Sequence, residues 1–167
     1  MDERMMIDRA VKGDKEAFAE LYLLYRDSLY RYAYFKLGDP QFAQDAVSAC
    51  IVSAYEGIMS LRYAAAFKGW IFKILYRCCC KQIEEQAAER VRADAEELDR
   101  LSAEPDTLSP ELKEAFGVLS PEDRDIILLS VLAGYNSREI AGITGFKANT
   151  VRSRLARGLK KMREFLE

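Results

Sequence analysis

The chain has 167 residues, 50% of them hydrophobic, with 25 basic and 27 acidic side chains, a net charge of −2 and no histidine. That length can bury one core of ordinary size or two small ones, and the four prolines and nine glycines lie mostly outside the periodic stretches, which favours an all-α protein over a sheet protein. The start MDERMMIDRA carries no apolar h-region, and no run approaches the roughly 18 apolar residues of a membrane span, so a cytoplasmic location is expected.

Taken in chain order, apolar periodicity predicts helices near residues 3–12, 14–37, 40–59 and 65–84. Phe18, Leu21, Tyr22, Tyr25, Leu29 and Tyr32 recur at helical spacing, as do Val47, Ile51, Ala54, Tyr55 and Ile58, and such stripes mark core faces. Asp14 and Asp39 stand where N-caps belong, the second followed by Pro40 at the first helical position. The stretch LRYAAAFKGWIFKILYRCCCKQ, residues 61–82, interleaves Tyr63, Phe67, Trp70, Phe72 and Tyr76 with Arg62, Lys68, Lys73, Arg77 and Lys81. Rings for unpaired bases and cations for phosphates are what single-stranded DNA requires, although the same rings would also serve a core. The cysteines are Cys50 and the run Cys78, Cys79, Cys80. Adjacent helical positions point about 100° apart, so the run cannot converge on a metal, and the thiols read as small buried residues in a reducing compartment.

Charge by segment says more than charge overall. Residues 1–83 carry a net of +2, residues 84–111 a net of −7, residues 112–144 a net of −2 and residues 145–167 a net of +5. The acidic stretch is poor in large apolar residues and is broken by Pro105 and Pro110, which makes it a linker. The chain therefore divides into a helical block over 1–84, an acidic linker over 85–108 and a second helical block over 109–167. Ser109 and Ser120 mark the next helix starts, with Pro110 and Pro121 following them.

The second block contains a helix from Pro121 to Leu132, then a short helix opened by Asn136 with Glu139 three residues on, a capping-box variant. It ends at Thr144-Gly145-Phe146, and a new helix starts near Lys147 or Ala148. Helix, tight Gly turn, helix is the helix-turn-helix pattern. On the last helix Ala148, Val151, Leu155, Leu159 and Met162 form one stripe, with Gly158 permitting close packing. Asn149, Thr150, Ser153, Arg157 and Lys160 fall on the opposite face, flanked by Arg152 and Arg154, with Lys147 and Lys161 adding charge at either side. Such a face can read base edges while its cations hold phosphates. The overall acidity is thus the linker's, and the positive charge belongs to a helix suited to duplex DNA.

No catalytic site is visible: histidine, a nucleotide-binding glycine motif and a carboxylate pair in an evident pocket are all missing. Neither a cofactor nor a metal is expected. Two readings remain from the residues alone. One is a protein that handles both melted and duplex DNA. The other is a helix-turn-helix repressor or activator that binds duplex by itself and uses its first block for sensing or dimerisation, which leaves the cation-aromatic stretch and the linker unexplained.

The stretches AQDAVSACIVSAYEGI, FKGWIFKI and LSPEDRDIILLSVLAGYNSREIAGITGFKANTVRSRLARGLKKMR together resemble the sigma-70 family, best its two-domain extracytoplasmic-function (ECF) branch. The second block carries the more specific match, through Leu119-Ser120-Pro121, Glu139-Ile140-Ala141, Gly145 and Thr150-Val151-Arg152-Ser153-Arg154-Leu155. The resemblance implies a promoter-specificity subunit of bacterial core RNA polymerase that is not itself an enzyme, with promoter DNA as its other partner and in some cases an anti-sigma factor. It also implies that the helix over 40–58 docks on the β′ clamp through Asp45, Ser48, Ala49, Val52, Ser53 and Glu56. Residues 61–82 would trap the melted promoter element through Arg62, Tyr63, Lys68, Trp70, Lys73 and Arg77. The second block would bind the upstream element as duplex and grip the β flap. Ser48-Ala49 stands where relatives carry an exposed Gln-Glu pair, Arg77 and Lys81 stand where Asn and Asp are common, and Asn149 where Gly is frequent.

Overall fold

The computed structural model describes residues 2–92 and 109–167, and these form two compact helical units. The acidic linker inferred over 85–108 lies outside the described residues from residue 93 onward.

The first unit holds α1 (Glu3–Val11), α2 (Lys15–Leu37), α3 (Pro40–Gly57) and α4 (Phe67–Arg92). Between α3 and α4 run two short 3-10 turns, Ile58–Ser60 and Ala64–Ala66. The starts follow the caps read from the sequence: Asp14 accepts from the Ala17 amide at 3.2 Å and Asp39 from the Phe42 amide at 3.0 Å. Each carboxylate satisfies an amide that has no partner within its helix. The Ala17 amide holds the Asp14 carboxyl below its ordinary range, with burial opposing. Helix α2 ends where Gly38 takes φ 75°, and its amide closes the turn on the Tyr34 carbonyl at 2.7 Å, a left-handed position that costs a Cβ-bearing residue about 1 kcal/mol or more. Helix α4 runs on to Arg92, past the predicted end at 84, because EEQAAER has good helix formers and nothing to stop it.

The core of this unit lies among α2, α3 and α4. Leu21, Leu29, Tyr32, Phe67, Ile71, Phe72 and Leu75 are fully buried, each contributing about 1.5–3 kcal/mol by leaving water. Edge-to-face pairs tie the helices: Phe18 to Tyr55, Tyr25 to Phe67 and Tyr32 to Phe72, with centroids 5.2, 5.2 and 5.8 Å apart. Helix α1 is fastened to α2 by the Tyr25 hydroxyl, which donates to the Glu3 carboxylate. Burial together with that carboxylate pushes the Tyr25 phenol well above its usual range.

The second unit holds α5 (Pro110–Gly117), α6 (Pro121–Val131), α7 (Ser137–Thr144) and α8 (Ala148–Leu166). Ser120 caps α6 through the Asp123 amide at 3.2 Å. Ser109 stands before α5 without a cap bond to the backbone, its hydroxyl donating instead to the Glu111 carboxylate at 2.8 Å. The core comprises Phe116, Leu119, Ile126 to Leu129, Ile140, Val151 and Met162. Gly158 is buried at the crossing of α8 over α6, where a Cβ would come 2.7 Å from Ile127 Cδ1. The close approach predicted for this glycine is therefore made to Ile127.

Candidate nucleic-acid and partner interfaces

The helix-turn-helix is formed by α7, its turn and α8. The capping box closes in both directions, with the Glu139 amide donating to Asn136 Oδ1 at 2.9 Å and the Asn136 amide donating to Glu139 Oε1 at 3.1 Å. At the turn Gly145 takes φ 86° and its amide returns to the Ala141 carbonyl at 2.9 Å. Thr144 ties the turn twice, donating its hydroxyl to the Ile140 carbonyl at 2.8 Å and accepting from the Phe146 amide at 3.4 Å. These local bonds set the direction in which α8 leaves.

Along α8, Val151, Gly158 and Met162 are buried, whereas Asn149, Arg152, Ser153, Arg157, Lys160 and Lys161 are exposed and Thr150 is half-buried. Lys147, also exposed, stands at the N-cap of α8 and makes no side-chain cap bond there. Arg152 donates to the Asn149 amide oxygen. Ser153 Oγ donates to the Thr150 carbonyl at 3.1 Å, and Arg157 Nε donates to the Ser153 carbonyl at 3.4 Å. Arg154 departs from the set: it is half-buried and bonded to Asp123 on α6.

In the first unit the structure sorts the five rings of residues 61–82. Phe67 and Phe72 are core, Trp70 is half-buried with its ring 5.9 Å from Phe67 and its edge against Gly57, and Tyr76 is half-buried beneath the Lys36 ammonium, 4.8 Å from the ring centroid. Tyr63 alone of the five stands out, 72% exposed. Trp70 is thus partly covered, whereas Tyr63 is open to solvent. Arg62, Tyr63 and Lys68 line a cleft of about 610 Å³ whose other wall is α1, with Glu3, Arg4 and Asp8. Lys73 and Arg77 are exposed further along α4, one helical turn apart. No feature of the sequence around α1 announces its part in this cleft, because the approach is made by tertiary contacts, among them the buried Ile7 and Ala10 and the Tyr25–Glu3 bond.

The six positions expected on α3, Asp45, Ser48, Ala49, Val52, Ser53 and Glu56, are all exposed, opposite the buried Ala43, Ala46, Val47, Cys50 and Ala54. Gln41 donates to Asp45 at 3.0 Å. Val52 is 58% exposed, and Tyr55 and Met59 add apolar surface beside it. The cysteines are inward: Cys50 and Cys79 are buried and Cys78 and Cys80 half-buried. Cys50 donates to the Ile71 carbonyl at 3.7 Å. Burial pushes the Cys50 and Cys78 thiols up, with Lys81 opposing at Cys78, which disfavours the thiolate form.

Residues 21–89 match the family described as Sigma-70 region 2, and residues 109–162 match Sigma-70, region 4. RNA polymerase sigma factor SigV of Bacillus subtilis is 33% identical over 141 residues, covering 83% of this chain and 84% of that protein. ECF RNA polymerase sigma factor SigE of Mycolicibacterium smegmatis is 28% identical over 166 residues, 92% of this chain and 64% of that protein. Among solved structures, the sigma factor RpoE of Bartonella quintana, in co-crystal with the anti-sigma factor NepR, has a similar fold, with TM-score 0.73 at 24% identity over 89% of this chain and 96% of that one. The chain belongs to the sigma-70 family of RNA polymerase sigma factors, in its ECF branch, and is a promoter-specificity subunit. Among the described residues, no helix is long and apolar enough to cross a membrane.

Proposed function

We propose that the two units divide promoter recognition between duplex and opened DNA, in a cytoplasmic protein whose contribution is binding rather than catalysis. Helix α8 enters the major groove of the upstream element, with Asn149, Thr150, Ser153 and Arg157 on base edges and Lys147, Arg152, Lys160 and Lys161 on phosphates. Its uncapped first turn adds amide donors and the positive end of the helix dipole. In the first unit, Tyr63 stacks on an unpaired base at the mouth of the α1 cleft while Arg62, Lys68, Lys73 and Arg77 hold the displaced strand and Trp70 supports the segment from behind. Helix α3 docks on the β′ clamp of bacterial core RNA polymerase through Asp45, Ser48, Ala49, Val52, Ser53 and Glu56, and the second unit meets the β flap. The co-crystal of the Bartonella protein with NepR supports an anti-sigma factor as a further partner.

The observation that carries this reading is the exposed ring of Tyr63 beside Arg62 at a cleft, in the unit that lacks the duplex-reading helix. A repressor acting on closed duplex has no use for such a ring. The test is reconstitution with bacterial core polymerase followed by mapping of transcript starts. Starts that depend on the added protein and share upstream and downstream elements support the proposal, whereas tight promoter binding by the protein alone with no dependent starts returns the repressor reading.

A further inference from the structure

Arg154 is the one arginine of α8 whose guanidinium is held inside the unit among the described contacts. Its Nη1 lies 3.1 Å from Asp123 Oδ1, and the guanidinium sits over the Phe146 ring, 5.0 Å from the centroid. The two ion-pair side chains are only 31% and 16% exposed. Asp123 is itself fixed, since its amide donates to the Ser120 cap in the first turn of α6. Phe146 belongs to the turn between α7 and α8. One side chain thus joins the start of α6, the helix-turn-helix turn and the second turn of α8.

Val151, Gly158 and Met162 of α8 are buried, Gly158 against Ile127 of α6, but burial is non-directional and tolerates small rotations and slides of a helix. A charge-assisted bond to a guanidinium over a ring face is directional. The carboxylate also lies at the amino end of α6, where the helix dipole favours it. We propose that Asp123 and Arg154 form a clamp that sets the rotation of α8, making Asp123 a positioning residue for upstream-element recognition and directing Arg154 to the fold rather than to phosphate. This inference rests on α8 being the duplex-reading helix. It assigns a role in DNA recognition to an acidic residue that the DNA backbone would repel.

The experiment uses holoenzyme assembled from the full chain and core polymerase, with promoter affinity measured against salt and across an upstream-element library. The variants are Arg154→Gln, Asp123→Asn and the charge swap Asp123→Arg/Arg154→Asp. Each single variant should lower affinity for the preferred element about tenfold, flatten the preference profile and leave the slope of log affinity against log salt unchanged, and the swap should recover much of the profile. A phosphate contact by Arg154 predicts the opposite pattern: Arg154→Gln reduces the slope by about 0.9, and Asp123→Asn, which removes a repelling charge, binds as well or better. That result overturns the clamp. So does a uniform loss of affinity with an unchanged profile, the signature of a smaller folded fraction. Arg157→Ala is run alongside, because an unchanged profile there refutes the reading helix itself, whereas a changed profile there with unaffected Asp123→Asn refutes only the clamp.

Discussion

At the scale of single residues, exposure separates side chains that composition treats alike. Arg152, Arg154 and Arg157 lie within two turns of one helix, yet Arg157 faces out beside Ser153 and Arg154 faces Asp123. Arg157→Ala and Ser153→Ala should each change which upstream sequence is preferred, since a good base contact contributes about 1–3 kcal/mol of discrimination. Lys161→Ala should weaken all sequences alike. Binding of holoenzyme to a library of upstream elements checks both, and an unchanged profile for the first two would place the reading face elsewhere. The same reasoning singles out Tyr63 among five rings. Tyr63→Ala should impair promoter opening at constant duplex binding, by an amount set by the loss of roughly 1–3 kcal/mol of base stacking. Permanganate footprinting of the holoenzyme reads the opened bases, and normal opening by the variant would count against the cleft.

At the scale of elements, two helices make opposite demands on the same kind of small residue. On α8 Gly158 is buried against Ile127, so Gly158→Leu should overpack the crossing and cost about 1–3 kcal/mol. Each 1 kcal/mol shifts the midpoint of a domain of this size by roughly 4–8 °C, which a thermal melt would resolve. Gly158→Ala should cost less, because its better helix propensity offsets the displacement of one Ile127 methyl by up to about 1 kcal/mol. On α3 the small Ser48, Ala49 and Ser53 are exposed around Val52. Val52→Lys should leave stability within about 0.5 kcal/mol and weaken core polymerase binding at least tenfold, the scale of losing a buried contact at the centre of an interface. A melt and a core-binding titration on the same sample separate the two effects, and unaltered core affinity would remove α3 from the docking face.

At the scale of the whole molecule, charge is segregated along the chain. Residues 84–111 carry a net of −7 and residues 145–167 a net of +5, joined covalently, so the acidic segment competes with phosphate at high effective concentration in the free protein. The intact chain alone should therefore bind a promoter fragment weakly. The fragment over residues 109–167 should bind more tightly, with a steep salt dependence from its phosphate contacts. Titrating both against salt on one DNA fragment tests this, and equal affinities with equal slopes would show that the acidic segment does not mask α8.

Local chemistry was legible in the sequence wherever neighbours within four residues decide the outcome. Asp14, Asp39, Ser120 and Asn136 open their helices as read, and Gly145 supplies the left-handed turn before α8. Along α3 and its C-cap the 3.6-residue repeat placed Val47, Ala54 and Ile58 inward, as they are, but it also placed Tyr55 there, which is 45% exposed. The six docking positions came from the family resemblance and not from the repeat. Where a long-range contact decides, the sequence alone was silent. Tyr63 could be singled out by its place in the loop before α4, but which of Phe67, Trp70, Phe72 and Tyr76 are covered depends on α2 and α3. The α1 wall of the cleft is held by tertiary contacts such as Glu3 with Tyr25, 22 residues away, and the withdrawal of Arg154 depends on Asp123, 31 residues away. Periodicity places a residue on a face of its own helix, but only the packing of other helices against that face determines whether the side chain meets protein, DNA or water.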